Sequence, residues 1–138
     1  MADATMAERS IGALSIVVFD GRFDRVHYAL VLASAAAATN RRATLFFTGP
    51  ALRALLPEGW RRLDSEPEAQ EAAFAARRVA TFAELLEACQ ALGVRFIACE
   101  MGLRALGLAA AELAVPAEIA GVVTLLAESP RDGQMLFI

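Results

Sequence analysis

Apolar, β-branched runs alternate along this chain with alanine- and leucine-rich stretches of helical rhythm. Leu14-Ser15-Ile16-Val17-Val18-Phe19 is apolar at nearly every position. That is the pattern of a strand buried on both faces of a parallel sheet, not of one that alternates. Asp20-Gly21-Arg22-Phe23-Asp24 interrupts it, and Asp24 is placed to cap a helix from Arg25 to about Ala38. Asn40 and Arg41-Arg42 suit the C-terminal end of that helix, where positive charge complements its dipole. Ala43 to Thr48 reads as a second buried strand, and Gly49-Pro50 turns it into a short helix from Ala51 to Leu56.

Residues 57–80 are polar and read as an insertion or lid. Within them Ser65-Glu66-Pro67-Glu68 looks like a helix start with Ser65 as its cap. Thr81 is the expected cap of the next helix, which runs to Leu92 and stops at Gly93. Val94 to Ala98 is a third strand ending at Cys99. Near the end, Ile119, Val122, Val123 and Leu126 follow the i, i+3, i+4, i+7 spacing of a helix with Pro116 in its first turn, and Gln134 to Ile138 is a closing strand. Strands alternating with helices predict an α/β class: one three-layer α/β/α Rossmann-like domain over residues 1–138, with a mainly parallel sheet of about five strands.

Composition narrows the chemistry. The chain has 138 residues, 57% hydrophobic and 21% charged, so a disordered chain is excluded. Net charge is −3 and no basic stripe is present, which argues against a nucleic-acid partner. All 13 basic residues are arginine. Schiff-base, P-loop and Ser–Lys chemistry therefore lack their lysine. One histidine and two cysteines without CxxC spacing give no metal site, and no cofactor motif is evident. The polar Met1–Gly12 segment has no signal-peptide core, and no apolar run is long enough for a membrane span. The expected location is the cytoplasm, with reduced thiols.

In an open parallel sheet, ligands gather outside the carboxyl ends of the strands. The loops Asp20–Asp24, Thr48–Pro50 and Cys99–Gly102 lie there. Cys99 carries the one intrinsic nucleophile among them and is the candidate catalytic residue. A helix starting near Met101 would aim N–H groups at its sulfur and favour the thiolate. Glu100 acts in the opposite sense, and Arg104, four residues on, can pair with it. Asp20, Gly21, His27, Gly49, Met101 and Gly102 are the candidate substrate-binding residues around the sulfur. Each also has a plainer role: turn or cap for Asp20 and Asp24, loop for the glycines, a singly hydrogen-bonded helix position for His27. Met101, Leu103 and Leu106 are expected to line the core near the cysteine loop. Cys89 falls on the apolar stripe of its helix with Phe82, Leu85, Leu86 and Leu92, so it is expected in the core. Trp60 is expected to anchor the polar segment or an oligomer contact.

Leu92-Gly93-Val94-Arg95-Phe96-Ile97-Ala98-Cys99-Glu100-Met101, with Gly107 after it, resembles the DsrE/DsrF-like sulfur-relay proteins. The strands at Ser15–Phe19 and Thr44–Thr48, Phe82-Ala83-Glu84-Leu85-Leu86, Gly121-Val122-Val123 and Leu136-Phe137-Ile138 extend the resemblance over most of the chain outside 57–80. It implies a Rossmann-like fold, commonly in homo-oligomers (trimers or hexamers), and sulfur carried as a persulfide on the position of Cys99. The partners would be a sulfur donor or acceptor protein. Two other readings keep the fold: a non-catalytic regulatory module that binds a small anion or a protein, and a thiol peroxidase or redox sensor. Sulfur exchange at Cys99 requires the sulfur to be reachable from solvent and partly ionised.

Overall fold

The computed structural model describes residues 12–138. Five strands, β1 (Leu14–Val18), β2 (Ala43–Phe47), β3 (Arg95–Cys99), β4 (Glu118–Ala120) and β5 (Gln134–Phe137), form one sheet in the order β4-β3-β2-β1-β5. Every pairing is parallel. The helices among the described residues are α1 (Phe23–Ala38), α2 (Pro67–Ala76), α3 (Phe82–Ala91), α4 (Glu100–Leu106) and α5 (Val122–Glu128), with 3-10 turns at Gly49–Leu55, Gly59–Arg62 and Ala110–Glu112. The architecture is the expected α/β class.

Strand alternation divides the side chains between two unequal faces. Ile16, Val18, Leu45, Phe47, Phe96 and Ala98 point to one, where they pack with Val26, Leu30 and Ala33 of α1 and Phe82, Leu85 and Cys89 of α3. Val17, Phe46, Ile97 and Cys99 point to the other and meet Leu125, the single buried residue of α5. The first layer of helices is thick and the second thin. Alanine at positions 29, 33 and 36 brings α1 close to the sheet, since a small side chain on the buried stripe shortens the helix–sheet distance.

Several local expectations are corrected. The helix α1 begins at Phe23 with Arg22 as N-cap and no side-chain cap bond, so Asp24 lies in the first turn, where its charge still suits the dipole. The short helix expected at Ala51–Leu56 forms as a 3-10 helix over Gly49–Leu55. Ser65 does not cap α2: Ser65 and Glu66 both take positive φ (70° and 54°), Glu66 is the N-cap, and neither offers a side-chain bond. Ile119 is not helical. Glu118–Ala120 pairs with Ile97–Cys99 as β4, and α5 starts only at Val122, because edge pairing to β3 outweighs the helical spacing of a short apolar run. The Thr81 capping box is formed as expected: the Thr81 hydroxyl accepts from Glu84 N at 3.2 Å and Glu84 accepts from Thr81 N at 2.9 Å. Gly93 stands just past α3 at φ +80°.

The polar stretch is fastened to the thick layer. Phe74 stacks on His27 with ring centroids 4.4 Å apart, and Phe23 meets Phe74 and Trp60 at 6.1 and 6.2 Å. Asp64 bonds the backbone of Gly21 and Phe23 and pairs with Arg53 at 3.0 Å.

Candidate functional site

Cys99 is the last residue of β3 and the N-cap of α4, so its sulfur lies where strand becomes helix. The Gly102 N–H donates to Cys99 Sγ at 3.4 Å. At a helix start such an N–H has no intrahelical acceptor, and the sulfur takes that place. Gly102 is a close-approach position. A Cβ there would lie 2.7 Å from Leu52 Cδ1, 3.2 Å from Thr48 Oγ1 and 3.3 Å from Gly49 N. The loop after β2 therefore leans on the first turn of α4, and the missing side chain lets it do so. Gly49 has φ +54°, and a Cβ on it would meet the Phe19 ring at 2.7 Å. The ends of β1, β2 and β3 thus converge through Phe19, Gly49 and Gly102.

The sulfur itself is covered. Cys99 is 3% exposed and packs in the small apolar cluster with Phe46, Ile97 and Leu125. The open, solvent-reachable thiol that sulfur exchange calls for is not what the chain presents. Burial follows from strand parity: Cys99 shares the α5-side face with Ile97, and its β4 neighbour across the ladder is Ala120. Glu100 and Arg104 form the expected pair at 3.0 Å on the exposed side of α4. Of the residues expected to line the core there, Leu103 is buried, whereas Met101 (73% exposed) and Leu106 face outward. A helix of two turns has room for one buried stripe, and Gly102 and Leu103 occupy it.

The other candidates are placed elsewhere. His27 is buried; its Nε2–H donates to the Ala80 carbonyl at 2.9 Å, which fixes the tautomer since a carbonyl only accepts. That bond ties α1 to the polar segment on the thick side of the sheet, and none of its contacts is with Cys99. Asp20 accepts from Arg22 N at 2.9 Å and lies 3.9 Å from Arg25, turn chemistry at the end of β1. Gly21 is packed against Pro50, Arg53 and Asp64. Gly102 adjoins the sulfur and Gly49 packs against Gly102; Asp20 and Gly21 belong to the turn after β1, and His27 to α1. Cys89 is fully buried, donates to the Leu30 carbonyl at 3.5 Å, and burial pushes its thiol up to about 11. The sequence reading passes over Thr48, which parallel register sets next to Cys99: Phe47 is opposite Ala98, one step earlier. Counting both strands from their first apolar residue would have found it.

No group of three or more His, Cys, Asp or Glu side chains among the described residues is disposed to hold a metal ion. No described helix is long and apolar enough to cross a membrane.

A five-stranded, all-parallel α/β sheet defines a Rossmann-like class of fold, and residues 16–130 match a family model within it: the chain belongs to the DsrE/DsrF-like family. The uncharacterized protein YrkE of Bacillus subtilis (strain 168) is 27% identical over 152 aligned residues, which span 90% of this chain and 95% of that protein. Two solved structures share the fold. MTH1491 of Methanobacterium thermoautotrophicum, a protein of unknown function, superposes with a TM-score of 0.60 at 16% identity, covering 92% of this chain and 99% of its own. The ychN protein of E. coli gives 0.60 at 18% identity, covering 91% and 99%.

Proposed function

We propose that this chain acts in sulfur relay, holding sulfur as a persulfide on Cys99 and passing it to the thiol of a partner protein. Family membership supports the relay role. The observation that carries the assignment to Cys99 is the Gly102 N–H directed at its sulfur at the carboxyl end of β3, while Cys89 is sealed and raised in pKa. A backbone N–H aimed at sulfur holds in place the nucleophile that exchange requires. The cover over Cys99 makes the exchange gated: a donor or acceptor has to displace the Leu125 side of the cluster before it meets the sulfur.

Exposed apolar side chains on the thin side, among them Phe19, Val123, Leu126, Met135 and Phe137, support self-association, a trimer or hexamer in this reading. A cytoplasmic setting, where thiols stay reduced, fits the same role.

A second reading has a specific observation behind it. A thiol 3% exposed beside the Glu100 carboxylate suits a regulatory module that binds a small anion or a protein without sulfur chemistry. Intact mass separates the two. Reduced protein is incubated with thiosulfate or polysulfide; relay predicts adducts of added sulfur that persist in Cys89→Ala and vanish in Cys99→Ser. Wild-type protein that stays unmodified removes the relay reading and leaves the binding module.

A further inference from the structure

We infer that a cavity at the amino ends of β1, β2 and β3 is a binding site for a small organic phosphate, a role that goes beyond the relay reading and does not rest on it. The cavity has a volume of about 310 Å³ and is bordered by the loop that leads into β2 and by the end of α5. Parallel register sets Ser15, Thr44 and Arg95 side by side across the three strands, and all three line it. The next row on the same face is Val17, Phe46 and Ile97, so the polar row is a local departure from an apolar sheet. Cys99 lies beyond that second row, four residues along β3 from Arg95, or about 13 Å at the usual strand rise.

Burial normally obliges a hydroxyl to find a partner. Ser15 is 7% exposed, yet its hydroxyl bonds to nothing among the described residues. Every fully enclosed side-chain N or O atom among those residues has a partner, so the Ser15 hydroxyl faces open space, and the cavity is that space. Charge points the same way. Arg41 donates to the Gly12 carbonyl and to the Gln134 amide oxygen, each at 2.6 Å, and neither is an anion. Arg42 forms no ion pair among the described residues. Arg95 is held by Glu118 and Glu128. Three arginines thus line the cavity against one carboxylate, that of Glu128, with Glu118 on Arg95 as well. Guanidinium groups with hydroxyl donors between them suit the oxygens of a phosphate. Donors reaching in from three strands and from the loop before β2 surround a tetrahedral oxyanion better than a planar carboxylate. Leu92, Leu125 and Pro130 supply an apolar wall, and the volume exceeds what a bare phosphate fills, so the ligand carries a small apolar body.

The test is calorimetric titration of the full chain with phenyl phosphate, in chloride buffer at constant ionic strength. Phenyl phosphate is expected to bind more tightly than inorganic phosphate, because of the apolar wall, and more tightly than benzoate, which has the same ring on a planar carboxylate. Ser15→Ala and Arg42→Gln are each expected to weaken it about tenfold, the usual effect of one hydrogen bond to a charged atom. Arg42 is exposed, so its replacement leaves the fold intact. Arg77→Gln removes an exposed charge that does not line the cavity and is expected to bind like wild type. No heat with phenyl phosphate overturns the inference, and so does affinity unchanged in Ser15→Ala or in Arg42→Gln. A loss in Arg77→Gln equal to that in Arg42→Gln overturns it too, since net charge alone would then account for binding. Benzoate bound as tightly as phenyl phosphate, or inorganic phosphate bound as tightly, overturns the assigned ligand class. Each of these results leaves the sulfur-loading test of Cys99 untouched.

Discussion

Glu71 caps a helix to which it does not belong: its carboxylate accepts from Phe82 N at 2.6 Å and from Ala83 N at 3.1 Å, the first two N–H groups of α3. The capping box at Thr81 serves the Glu84 N–H, so the two devices divide the orphan donors of one helix end. Phe82 is buried, so its N–H has no water to turn to. Glu71→Ala is expected to cost about 1–3 kcal/mol, the penalty for stranding a buried donor. Glu71→Gln keeps an acceptor and should lose less. Urea denaturation of the three proteins checks this; equal midpoints would show that α3 does not depend on α2.

Two carboxyl groups are expected to contribute to the acid limb of stability. The backbone N–H of Thr81, and then its hydroxyl, hold Glu84 below the ordinary carboxylate range, and the hydrogen bond from Arg95 does the same for Glu118. A group lowered in the folded state contributes stability above its unfolded pKa and loses it as pH falls through the folded value. Both contributions are therefore whole above roughly pH 5 and fade below about pH 4. Glu84→Gln and Glu118→Gln are each expected to flatten the fall of unfolding free energy across that window. A slope unchanged from wild type would rule out these bonds as its source.

Cys89 should be unreactive in the folded protein. Cys89, with its pKa raised to about 11, is almost wholly protonated at pH 8 and enclosed by α1 and α3. Maleimide added to folded protein is expected to leave Cys89 unmodified, with labelling appearing only on unfolding. Cys89→Ser places a hydroxyl in apolar surroundings and is expected to cost about 1–3 kcal/mol. Labelling of Cys89 at the rate of a free thiol would mean that the α1–α3 layer opens readily.

Much of this molecule was legible in its sequence because its signals were local. Buried strands at Leu14–Val18, Ala43–Phe47 and Arg95–Cys99 announced themselves by nearly continuous apolar runs, and Thr81 was legible as a helix cap. Pairing partners were not legible. Glu118–Ala120 became a strand because β3 offered an open edge, a fact about the sheet and not about Ile119. Burial of Cys99 was missed for a similar reason. Its place at a strand end was readable, but the side on which its sulfur fell depended on strand parity and on Leu125 arriving from α5. His27 shows the same limit: its partner, Ala80, is 53 residues away.

The contact between Phe19 and Gly49 yields the last prediction. Gly49 sits at φ +54°, but the left-handed region alone does not demand glycine, since Asn40, Glu58, Ser65, Glu66 and Arg78 also occupy it. What distinguishes Gly49 is the ring of Phe19, 2.7 Å from any Cβ. Gly49→Ala is expected to cost about 1–2 kcal/mol from the backbone and a further 1–3 kcal/mol, roughly, from the clash. Phe19 is stacked on Phe137 at 5.9 Å and half exposed, so Phe19→Ala removes the clash at modest cost of its own. In the double mutant the clash contribution should vanish while the backbone contribution persists, giving a favourable coupling of about 1–3 kcal/mol in a cycle of urea denaturations. Additive losses would mean that the ring yields to the new methyl group, and that the loop beside Cys99 is held by its backbone conformation instead of by Phe19.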